Sequence, residues 1–272
     1  MKSLLLLSPV EGIKTWKQLE IILKVVVRKM SKLFIPYIMG DLKFIENLKT
    51  LSEAGADIIE IGVPFSDPVA DGSTIMNAGA KAIEAGVNIN FIFEKLIQYK
   101  ETISSKYVLM TYYNIISSYG ENEFLKKCEE AGVYGLIIPD LPFELTQKFK
   151  KDYPNKNIKI ISIIAMTTSK DRIERIAKKA EGFIYTVTMN ATTGENGQFH
   201  PELQRKIQLI KGVTDVPVVA GFGIRNQEHV KDIGRIADGV VIGSEIVKKF
   251  AENKLDETFQ YLRSIRMTLD QI

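Results

Sequence analysis

Short apolar, β-branched runs alternate along the chain with stretches whose apolar residues recur at helical spacing. Eight runs stand out, at residues 33–39, 58–63, 107–112, 135–139, 159–164, 182–187, 216–220 and 239–242. Between them, residues 44–54, 123–131, 170–180 and 227–236 carry the helical period. Near-continuous apolar runs suit strands covered on both faces, and their alternation with helices predicts parallel βαβ units. A weak echo recurs before alternate runs. Ala54-Gly55-Ala56-Asp57, Ala131-Gly132-Val133-Tyr134, Lys179-Ala180-Glu181-Gly182 and Ile236-Ala237-Asp238-Gly239 each read as a helix end, a tight turn and a buried strand. Recurrence at the second, fourth, sixth and eighth runs predicts a single closed (β/α)8 TIM barrel of the α/β class. An open doubly wound sheet is the alternative, but no Gly-x-Gly-x-x-Gly follows the first run.

No Pro-, Ser- or Gly-rich linker divides the chain, so residues 32–272 are expected to form one barrel domain. Residues 1–31 differ in character: 16–29 reads as an amphipathic helix that would cap the barrel floor. Met30 is a second plausible start, which makes the preceding residues a candidate leader or an artefact of start-site choice. Leu4-Leu5-Leu6-Leu7 is an apolar run too short for a secretory signal, which needs about 7–15 such residues.

Charge and composition narrow the class. Thirty-six basic and 33 acidic residues are interspersed and leave a net charge of +3, too little to argue for nucleic acid. Lys148-Phe149-Lys150-Lys151 reads as a solvated helix face. The lone Cys128 cannot form an internal disulfide and reads as a packed helix residue, which predicts a reducing, cytoplasmic setting. His200 and His229 lack metal-ligand spacing, so no metal is expected. A Schiff-base lysine would have to sit at a strand's C-terminal end, and Lys159 lies at the wrong end of its run.

In such a barrel the chemistry belongs at the C-terminal ends of the strands. Glu60 stands among Ile58, Ile59 and Ile61. A carboxylate inside an apolar strand is costly unless paired or functional, and burial would raise its pKa toward acid–base use. A structural carboxylate held by a lysine or by backbone amides is the competing reading. Asp67 and Asp71 lie in the following loop, where turn formation and helix capping compete with chemistry. Further on, Gly221-Phe222-Gly223-Ile224 follows the seventh run, and Gly243-Ser244 follows the eighth and opens a short helix, 245–250. Loops seven and eight with a helix N-terminus are the usual phosphate cradle of such barrels, built from backbone amides and the Ser244 hydroxyl without a lysine. Thr193-Gly194 would close the cradle, and residues 190–198 read as a mobile lid.

The stretch Glu60-Ile61-Gly62-Val63-Pro64-Phe65-Ser66-Asp67-Pro68-Val69-Ala70-Asp71-Gly72 closely resembles the signature of tryptophan synthase alpha subunits. So do Pro36-Tyr37-Ile38-Met39-Gly40-Asp41, Leu109-Met110-Thr111-Tyr112-Tyr113-Asn114 and Pro139-Asp140-Leu141-Pro142, together with the three glycine motifs. The similarity runs from about Leu33 to the C-terminus. It implies retro-aldol cleavage of indole-3-glycerol phosphate to indole and glyceraldehyde 3-phosphate, with Glu60 and Asp71 as the catalytic pair. It further implies an indole slot walled by Tyr37, Met110, Ile138 and Phe222, substrate contacts from Tyr112, Tyr185 and Thr193, and phosphate contacts from Gly194, Gly223, Gly243 and Ser244. No cofactor is implied in this chain. The implied partner is a beta subunit carrying pyridoxal phosphate, in an α2β2 complex met through Pro64 and Asp67. Leu42, Ser73, Ile115 and residues 190–192 depart from the family pattern, in loops and away from the two carboxylates. The rival readings are another barrel lyase or isomerase acting on a sugar phosphate, and a non-catalytic regulatory barrel. The first would not need Glu60 paired with Asp71, and the second would have lost one of them.

Overall fold

The computed structural model describes residues 32–187, 201–221 and 223–272. The expectations for residues 1–31, for the lid at 190–198, and for Thr193, Gly194 and Phe222 lie outside these. Among the described residues the strands are β1 (Leu33–Met39), β2 (Ile58–Gly62), β3 (Lys106–Met110), β4 (Gly135–Ile137), β5 (Lys159–Ile160), β6 (Ser162–Ala165), β7 (Ile184–Val187), β8 (Val218–Gly221) and β9 (Gly239–Ile242). All pairings between them are parallel. Their order is β5-β4-β3-β2-β1-β9-β8-β7-β6, and only Ile161 separates β5 from β6 in the chain. The two ends of the sheet are therefore halves of one stave, and the ring is an eight-staved barrel, not an open sheet. The fifth run of the sequence pattern is that split stave. β3 begins one residue earlier than the apolar run, at Lys106, a second strand lysine that also sits at the N-terminal end.

Strand residues alternate between the barrel interior and the helical shell. The interior holds one residue from each stave: Ile35, Ile58, Val108, Ile137, Ile161, Phe183, Val219 and Val241. This layer plugs the barrel, as branched and bulky side chains do in this fold. The outward residues, among them Phe34, Ile59 and Leu136, join a larger core with the helices, including Leu48, Ile92 and Phe124. At the floor, Arg266 of the last helix (Leu255–Asp270) donates to Asp57 at 2.9 Å and to the Lys32 carbonyl at 2.9 Å. That bond ties the end of the chain to the entry of β1 and β2. No helix among the described residues is long and apolar enough to cross a membrane.

Two residues above each member of the plug lies a second inward position, nearer the C-terminal ends. On successive staves these are Tyr37, Glu60, Met110, Pro139, Ile163, Tyr185, Gly221 and Gly243. The period of two that buries Ile58 in the plug thus delivers Glu60 to the layer above it, where the barrel opens.

Candidate active site

That upper layer forms the floor of a cavity of about 790 Å³ at the C-terminal face. Glu60, Asp71, Tyr37, Met110, Tyr185, Gly223, Gly243 and Ser244 all line it. Eight of the residues singled out in the sequence, from four strands and the segments that follow β2, β8 and β9, therefore converge on one space. Glu60 is 2% exposed, and Tyr37 pairs with it across β1 and β2. Burial, with the negative field of Asp71 added, pushes the Glu60 carboxyl up to about 8. Burial also lifts Asp71 above the ordinary carboxylate range, while the Tyr112 hydroxyl draws it part of the way back. The Tyr37 phenol is raised by burial and by the fields of Asp71 and Glu60, and that of Tyr185 by burial and Glu60. The site therefore separates its two carboxyls. Burial holds Glu60 protonated near neutrality, whereas Asp71 is only partly buried. Such a separation of environments distinguishes acid from charge stabiliser in a carboxylate pair.

Space at Gly62 is as constrained as charge at Glu60. A Cβ built there would lie 1.8 Å from the Tyr37 hydroxyl, 2.5 Å from Cζ and 2.9 Å from Cε2. The tyrosine ring lies in the notch that the missing side chain leaves, and this keeps it flat against the wall.

The far end of the cavity has a different character. Gly223 takes φ +69°, in the left-handed region that favours glycine. Gly243 precedes the helix Ser244–Ala251, whose first N–H groups have no acceptor within the helix. Two cations expected from no motif also line this end, Arg225 and Lys248. The sequence reading named backbone amides and the Ser244 hydroxyl, and neither of these cations. Lys248 lies four residues after Ser244 on one face of the helix Ser244–Ala251, so the spacing within that helix contained the signal. Arg225 gave none, since its place depends on how its loop turns: its N–H donates to His229 Nδ1 at 3.4 Å and its carbonyl accepts from the Tyr261 hydroxyl at 3.2 Å.

One expected wall residue and one expected substrate contact do not line the cavity. Ile138 points into the outer core, while its neighbours Ile137 and Pro139 face the cavity. The reason is parity: Ile137 belongs to the plug, so Ile138 must face the helices. Tyr112 also lies off the cavity, because β3 ends at Met110 and the chain turns into the helix Tyr113–Tyr119. Of the two residues expected to meet a partner, Asp67 is exposed, whereas Pro64 is buried and shapes the turn that carries it.

A closed parallel barrel that gathers a buried carboxyl and a second, half-buried one into one cavity at its C-terminal face has the build of a (β/α)8-class enzyme. The family model of the tryptophan synthase alpha chain matches residues 23–270, and the chain belongs to that family. The tryptophan synthase alpha chain of Staphylococcus epidermidis is 69% identical over 243 residues, covering 89% of this chain and 100% of the relative. Among solved structures, tryptophan synthase subunit alpha from Campylobacter jejuni matches at 36% identity with a TM-score of 0.77, covering 86% of this chain and 96% of that one. The subunit alpha from Legionella pneumophila matches at 27% identity with a TM-score of 0.81, covering 94% and 99%. The chain is thus the alpha subunit type of tryptophan synthase, a lyase of tryptophan biosynthesis, and it implies a beta partner.

Proposed function

We propose that Glu60 and Asp71 carry out the cleavage of indole-3-glycerol phosphate into indole and glyceraldehyde 3-phosphate in this cavity. Protonated Glu60 donates its proton to indole C3, and positive charge develops on the ring. The Asp71 carboxylate accepts the indole N–H and stabilises that charge. The bond from C3 to the glycerol carbon then breaks, its electron pair returns to the ring, and the adjacent hydroxyl becomes the aldehyde. Its proton goes to the Glu60 carboxylate, which restores the acid. The observation that carries this reading is the buried Glu60, raised to about 8, sharing one apolar cavity with Asp71. Tyr37, Met110 and Tyr185 supply the walls of an indole-sized slot.

The phosphate is held at the other end, by the Ser244 hydroxyl and by amides near Gly223 and Gly243. A Cβ on Gly243 would meet Ile75 at 3.6 Å and Tyr37 at 3.7 Å, so alanine fits and a β-branched side chain does not. Gly243→Val should raise the KM for indole-3-glycerol phosphate by about tenfold or more with a smaller change in kcat, the mark of lost binding common to ground and transition states. Steady-state kinetics checks this. A KM equal to that of the wild type would move the phosphate elsewhere.

The partner reading is an α2β2 complex in which indole passes to a beta subunit that carries pyridoxal phosphate, all in the cytoplasm. The loop joining Glu60 to Asp71 supports it. This loop stands on the cavity's own face and exposes Asp67 and, at 78%, Val69. Titrating beta subunit into the chain while following indole release is the test. The wild type should be accelerated. Asp67→Ala should stay within about twofold of it when alone, as surface changes usually do, and gain less from the partner. Equal fold-activation of the two would remove Asp67 from the interface, and no activation of the wild type would remove the partner reading.

A further inference from the structure

The loop from Val63 to Gly72 contains neither helix nor strand, yet Asp71 must enter the cavity in a defined direction. Two hydrogen bonds and one ring stack hold the loop, and two of these three contacts go to one side chain. At its base, the Val63 N–H donates to the Met110 carbonyl at 2.8 Å. In its middle, Phe65 stacks on the ring of Tyr112, with centroids 4.8 Å apart and planes at 27°. At its end, the Ala70 N–H donates to the Tyr112 hydroxyl at 3.1 Å, one residue before Asp71. Tyr112 itself is 3% exposed and does not line the cavity. A buried tyrosine that grips a loop at two points without lining the cavity fits a different task from the substrate contact that the resemblance suggested.

We infer that Tyr112 is a positioning residue, which clasps the Phe65–Ala70 segment from behind and fixes the direction in which Asp71 meets the substrate. The ring supplies the grip on Phe65, and the hydroxyl sets the backbone immediately before Asp71. Offset stacking of this kind is attractive beyond the area it buries, and it anchors a loop segment that is mostly exposed between Ser66 and Ala70. The hydroxyl has a second effect. With its oxygen accepting from Ala70, its own proton is available to the Asp71 carboxyl and favours the ionised form. Asp71 is also faced by Glu60 of β2 and Tyr37 of β1, and Arg225, Glu245 and Lys248 line the same cavity. The inference rests on the reading that Asp71 takes part in cleavage.

Tyr112→Phe isolates the hydroxyl, because phenylalanine still stacks on Phe65. It should lower kcat by about tenfold, the equivalent of one hydrogen bond of ordinary net strength, with KM within about threefold. The acid limb of the kcat/KM profile should move to higher pH, since Asp71 loses the group that favours its ionised form. A purely structural role would leave that limb in place. Tyr112→Leu removes the stacking as well and should lose more activity, with faster proteolysis within residues 64–71. A double-mutant cycle separates the clasp from its premise. If Tyr112 acts through Asp71, adding Tyr112→Phe to Asp71→Asn should cost nothing further. Wild-type kcat and an unmoved acid limb in Tyr112→Phe, alongside a severely impaired Asp71→Asn, would overturn the clasp alone. Additive losses in the double variant would also overturn it. A fully active Asp71→Asn would overturn the catalytic reading of Asp71, and the clasp with it.

Discussion

Glu60→Gln should lower indole release by about 10²–10⁴-fold, the usual contribution of a general acid–base group, while binding indole-3-glycerol phosphate nearly as well as the wild type. Glutamine keeps the shape and a hydrogen bond but cannot deliver a proton to C3. Activity within a fewfold of the wild type would remove Glu60 from the mechanism. The wild-type kcat/KM should fall as pH rises through about 8, where the Glu60 carboxyl loses its proton, and Glu60→Gln should lack that limb. The same group predicts a stability effect of definite sign. Its pKa is higher in the folded chain than in the unfolded one, at about 8 against 4.5. Its contribution to stability is therefore full below about pH 4.5 and is lost as pH rises through about 8. The melting temperature of Glu60→Gln relative to the wild type should climb across that window and level off above it. A difference independent of pH would mean that Glu60 is not held protonated by burial.

Gly62→Ala should be the most damaging single methyl group in the site. The added Cβ would overlap the Tyr37 hydroxyl at 1.8 Å and the ring carbon behind it at 2.5 Å. No rotation of the hydroxyl relieves this, so the ring must leave its notch or the two strands must part. Overpacking of this kind costs about 1–3 kcal/mol of stability. A wall displaced by an ångström beside reacting groups costs about a hundredfold in kcat. The partner substitution is informative. Tyr37→Phe should not rescue Gly62→Ala, because the clash extends to Cζ and Cε2, whereas Tyr37→Val should restore much of the melting temperature though not the slot. Thermal melts and kinetics on the single and double variants decide this. Rescue by phenylalanine would place the conflict at the hydroxyl alone, and a Gly62→Ala chain with wild-type rate and melting point would refute the notch.

The division between sequence and structure falls along the range over which each interaction acts. Strand and helix alternation, the carboxylate amid isoleucines at Glu60, the loop of Pro64 to Asp71 and the glycine pair at 243 and 223 are features of neighbouring residues, and all were legible from the chain alone. Burial of a charge is costly whatever the fold, so Glu60 announced itself before any strand was paired. Closure was expected from the recurrence at alternate runs, but how it is made was not legible: β5 and β6 form one stave that meets both β4 and β7. Closure also sets which parity of each strand faces inward. That choice brought Ile137 and not Ile138 to the interior, though both are apolar and adjacent. The end of β3 at Met110 turned Tyr112 from the cavity to the back of the loop, and the turn after Gly223 brought Arg225 to the cavity that Lys248 also lines. Local pattern specifies which residues are apolar and at what period. Only the packing of staves against one another, between residues distant in the chain, decides which side of that period becomes the site.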